Sequence, residues 1–69
     1  MNIKLNSNRD LKGFMASVHK LGGAARAVQG ETNVDAKSTL GIASIMANGE
    51  FELRFINCTD NGLFDKWKV

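Results

Sequence analysis

Few side chains in this 69-residue chain could do chemistry, and the most telling is Ser38. It lies in the run Asn33-Val34-Asp35-Ala36-Lys37-Ser38-Thr39-Leu40-Gly41-Ile42, which reads as a strand handing a serine to the start of a short helix. A serine there caps the helix, its hydroxyl accepting one of the unpaired N–H groups of the first turn. The same place suits a phosphate, because the added charge of about −1.5 to −2 would sit at the positive end of the helix dipole. The cap alone accounts for the residue. A cap that also accepts regulatory phosphate is the alternative.

The other candidates are fewer and weaker. His19 is the only imidazole and Cys58 the only thiol. The periodicity puts His19 about ten residues into a helix and so far from its amino end, which reads as a surface or edge-of-core position. Cys58 has no partner for an internal disulfide. No histidine or cysteine spacing implies a metal, and no motif implies a cofactor. Arg9 falls in the first turn of the same helix, where it could hold an anion beside open amides or be a plain surface arginine.

These residues need elements to position them. Met1–Asn6 alternates, with Ile3 and Leu5 on one face, and predicts a half-buried strand. Ser7-Asn8-Arg9-Asp10 fits a capping box. Leu11, Phe14, Met15, Val18 and Leu21 then mark one face of an amphipathic helix, with Gly22-Gly23 expected to stop it in the left-handed conformation. A hairpin is predicted over Ala24–Ala36, with strands near 25–28 and 32–36 and a turn near Gln29-Gly30, although alanines make its first arm weakly β-forming. Ser38 opens a second helix with Ile42, Ile45 and Met46 inward. Gly41 inside that helix implies close packing or fraying.

Asn48-Gly49 is turn chemistry, and Phe51, Leu53 and Phe55 alternate with Glu52 and Arg54 in a last strand. Leu63, Phe64 and Trp67 suggest a final short helix. The order β-α-β-β-α-β with one apolar face per element predicts a single α+β domain over residues 1–69. Its four-stranded antiparallel sheet is covered on one face by helices, and the last strand lies between the first two.

Composition narrows the function classes. The 43% hydrophobic and 23% charged content belongs to a folded globular chain. Nothing approaches the ~18 apolar residues of a membrane span, and the first residues lack a secretory core, so a cytoplasmic location is expected without membrane insertion. The net charge is only +2, its nine Lys and Arg are scattered, and the aromatics fall at core positions. A small basic nucleic-acid binder is therefore the least favoured reading.

The run Val34–Ile42, the element order and the chain length together resemble HPr-like domains, the small phosphocarriers of the sugar phosphotransferase system and their regulatory relatives. The resemblance extends from the first strand to about Asn57. It implies an open-faced β-sandwich ending in a C-terminal helix (βαββαβα). It also implies two sites: a relay histidine at the start of the first helix, usually in a Gly-Leu-His-x-Arg-Pro setting, and a serine opening the second helix, phosphorylated by a kinase in some bacteria. Only the second is matched here, by Lys37-Ser38 with Gly41.

The first helix opens instead with Asn6-Ser7-Asn8-Arg9-Asp10, which has neither histidine nor proline. Relay needs a nucleophile of imidazole's kind, which neither asparagine nor unactivated serine replaces. The expectation is thus a non-enzymatic regulatory or protein-interaction domain related to the phosphotransferase system. Ser38 is its candidate phosphate acceptor, Lys37, Thr39 and Leu40 its candidate partner-binding residues, and Arg9 its candidate anion contact. Exposed aliphatic residues of the second helix dock partners in that family, and Leu40 matches such a position while Thr39 is more polar than usual. A true phosphoacceptor at Ser38 is the rival reading. The shortened end, with only seven residues after Gly62, suggests an uncovered apolar strip that would promote self-association.

Overall fold

The computed structural model describes all residues, 1–69. Its elements run β1 (Asn2–Ile3), α1 (Asn8–Val18), β2 (Ala24–Gln29), β3 (Thr32–Asp35), α2 (Thr39–Met46) and β4 (Phe51–Ile56). The strands form one antiparallel sheet in the order β1-β4-β2-β3, so the last strand lies between the first two, as the split arrangement predicts.

Ser7 starts α1 as its cap, with the return bond of the expected box shifted one residue earlier. Its Oγ accepts the Asp10 N–H at 3.1 Å, while the Asp10 carboxylate reaches back to the Asn6 N–H at 2.9 Å. Phe14, Met15 and Val18 carry the apolar stripe into the core. There they meet Ile42 and Ile45 of α2 and the inward residues Ile3, Ala25, Ala27, Phe51 and Leu53 of the sheet. Burial of this shared face, about 25 cal/mol per Å² of apolar surface, is what stabilises so short a chain. β2 forms despite its alanines because it is paired on both sides, with β4 and with β3, and sheet context overrides a weak local preference. The hairpin turns at Gly30, whose φ of +58° suits the first position of a two-residue loop.

Three expectations are corrected. The stop after α1 is not left-handed, since neither Gly22 nor Gly23 has positive φ. The helix instead tightens, with the Lys20 and Leu21 amides bonding the carbonyls of Ser17 and Val18. Gly23 is required for another reason: a Cβ there would lie 2.6 Å from the Ile56 carbonyl oxygen and 3.0 Å from that of Asn57.

The final helix is also absent. Residues 61–67 form consecutive turns, and the chain end then lies along β1. The Lys4 N–H bonds the Trp67 carbonyl and the Val69 N–H bonds the Asn2 carbonyl, both at 2.9 Å. A segment this short makes a marginal helix, and pairing with a sheet edge satisfies its backbone better. The tail still covers the core. Phe64 is fully buried and Trp67 nearly so, in an aromatic cluster whose centre, Phe14, lies 5.4 Å from Phe64 and 6.0 Å from Trp67. Gly13 makes the room, because a Cβ there would meet Trp67 at 2.9 Å. The anticipated uncovered strip is therefore filled, and with it goes the argument for self-association through that face.

Candidate functional site around the start of α2

The approach to α2 is set by Asp35. Its side chain accepts the Lys37 N–H at 2.9 Å and its carbonyl accepts the Ser38 N–H at 2.9 Å, turning the chain sharply out of β3. Ser38 then caps α2 with extended backbone (φ −85°, ψ 106°), its Oγ accepting the Gly41 N–H at 3.1 Å. Ser38 is an exposed residue even while its side chain caps the helix. Gly41 is there for close packing: a Cβ would lie 3.1 Å from Val34 Cβ and 3.2 Å from Ser38 Oγ. The far end of the helix is held by Gln29, whose Nε2 donates to the Ile45 carbonyl at 2.7 Å and to that of Glu50 at 3.1 Å. Sequence reading missed this clamp, since it joins the end of β2 to the end of α2 and has no local signature.

Lys37, Ser38, Thr39 and Leu40 form one exposed surface. Leu40 stands out at 86% exposed, the most exposed large apolar side chain of the molecule. Thr39 joins α1 across a groove of about 480 Å³ lined by Asn8, Leu11, Lys12, Met15 and Thr39. Asn8 and Lys12 were not legible as site residues, because the groove exists only where α1 meets α2. The half-buried Leu11, one turn before Met15 on the same face of α1, was the available hint.

The other candidates lie apart. His19 ends α1 as its C-cap residue, with Nδ1 2.8 Å from the Met15 carbonyl oxygen. At 1.5 Å per residue, α1 puts that ring roughly 16 Å from the helix's amino end. No side chain at the start of α1 is a phosphoryl-relay nucleophile of imidazole's kind. Arg9 lies exposed in the first turn of α1 and takes part in neither of the molecule's two ion pairs, which join Arg54 to Glu52 and Lys68 to Asp65. Cys58 is half-buried, its thiol 3.4 Å from the Ala24 carbonyl.

No helix is long and apolar enough to cross a membrane. Comparison with known proteins adds no relative: no family model matches the chain, and neither a curated protein nor a solved structure matches it.

Proposed function

We propose that the chain is a non-enzymatic regulatory or interaction domain of the HPr-like kind, which docks a protein partner of the phosphotransferase system through the start of α2. The observation that carries this reading is Leu40, an apolar side chain 86% exposed beside the Ser38 cap and the groove between the helices. Leaving such a side chain in water brings the isolated fold nothing, whereas its burial in a complex would contribute about 1.5–3 kcal/mol. The only histidine is bonded at the carboxyl end of α1, where helix carbonyls disfavour an added phosphate. That supports regulation over relay.

The second reading, a phosphate acceptor at Ser38, is favoured by the exposure of that residue and by Lys37, the exposed basic residue just before it in the chain. The two readings are compatible, because a phosphate there would recharge the docking surface without crossing the core.

The test is titration of the isotope-labelled protein with the relay enzyme, sugar-specific subunits and serine kinase of the system. Shifts should gather at the amides of 8–12 and 38–40, and Leu40→Asp should abolish them while leaving the fold intact. Absence of binding to every component, or a footprint elsewhere, would overturn the proposal.

A further inference from the structure

The sheet has two edges, and the structure treats them differently. The β1 edge is covered by the chain's own end, through the bonds of Lys4 to Trp67 and Val69 to Asn2. The β3 edge has no strand beside it. In the β2–β3 ladder the Ala36 N–H bonds the Ala25 carbonyl, and Arg26 faces Asp35 while Val28 faces Asn33. Alternation in an antiparallel pair then turns the main-chain groups of Asn33 and Asp35 outward. A second copy could therefore pair antiparallel on this edge, Asn33 of each opposite Asp35 of the other, with Val34 at the centre.

Both outward carbonyls are taken. That of Asp35 accepts the Ser38 N–H at 2.9 Å. That of Asn33 accepts Arg26 Nη2 at 3.3 Å, while Arg26 Nε is anchored on Asn33 Oδ1 at 2.9 Å. Arg26 is not drawn to the other side, because its neighbour on β4 is Arg54, whose guanidinium is held by Glu52 at 2.6 Å. We infer that Arg26 is a lock on the β3 edge, its guanidinium occupying the Asn33 carbonyl that a second copy of this chain would need for strand pairing. Natural sheets protect free edges with charged side chains, and here the charge acts through a defined bond.

The experiment compares the full chain with Arg26→Ala and with Lys20→Ala, which removes the same charge from an exposed position outside the sheet. Sedimentation and the concentration dependence of the Asp35 amide shift are read for each. Arg26→Ala is expected to self-associate about tenfold more tightly than wild type, the scale of the hydrogen bonds freed on two edges, with Asp35 shifting as it does so. Lys20→Ala should match wild type. Should Arg26→Ala fail to fold, Arg26→Met removes the guanidinium that bonds the Asn33 carbonyl, keeps an apolar stem over the sheet, and carries the same expectation. A folded Arg26→Ala or Arg26→Met chain as monomeric as wild type, or equal association by Lys20→Ala, overturns the inference.

Discussion

Replacing Ser38 separates its two roles, because alanine and aspartate fail in different ways. The structure gives Oγ one backbone bond, from the Gly41 N–H at 3.1 Å, in a helix of only eight residues. Ser38→Ala leaves that amide without its partner and should cost ~0.5–2 kcal/mol. Ser38→Asp keeps an acceptor within reach and sets a negative charge against the open first turn, worth ~0.3–1 kcal/mol in favour of the fold. The Asp35 carboxylate three residues earlier opposes this, but it is exposed and already engaged by the Lys37 N–H, so screening keeps the repulsion small. The two variants should then differ by about 1–2 kcal/mol, or some 4–16 °C in the unfolding midpoint of a domain this size. Thermal unfolding followed by circular dichroism at low salt reads the difference directly. If Ser38→Asp melts at or below Ser38→Ala, the dipole argument fails, and with it the claim that a phosphate there would leave the fold intact.

Two further perturbations test the packing that positions the site. Gly23→Ala should destabilise by ~1–3 kcal/mol, since its Cβ would strike the Ile56 carbonyl, whereas Gly22→Ala meets nothing within 4 Å and should gain ~0.4–1 kcal/mol. Urea titration of the pair checks this, and equal midpoints would refute the close approach. Phe64→Ala removes a fully buried ring and should cost ~3–5 kcal/mol, comparable to the whole stability of so short a chain, so the variant should lack a cooperative transition.

Much of the architecture was legible because the apolar periods are clean. The stripe from Leu11 to Val18, the alternation of Phe51, Leu53 and Phe55, and the capping serines at 7 and 38 all fix local structure by themselves, and each element forms where they imply. What could not be read depends on distant groups. The chain after Gly62 has the apolar spacing of a helix, but β1 offers it main-chain partners that sequence alone does not display. Gly22-Gly23 looks like a helix stop, yet Gly23 answers to the carbonyl of Ile56, over thirty residues away. The candidate site divides in the same way. Ser38 and Leu40 are local features of one helix start, while Asn8 and Lys12 enter only through the packing of α1 on α2.

The central claim is that this fold presents a docking surface at α2 and has no imidazole placed to carry phosphate at α1. The most direct measurement is to expose the protein separately to the relay enzyme with its phosphoryl donor and to the serine kinase with ATP, then locate any added phosphate by mass spectrometry under conditions that preserve phosphohistidine. The account predicts an unmodified His19 in both, with phosphate, where it is accepted at all, confined to Ser38. Phosphate on the His19 ring would contradict it.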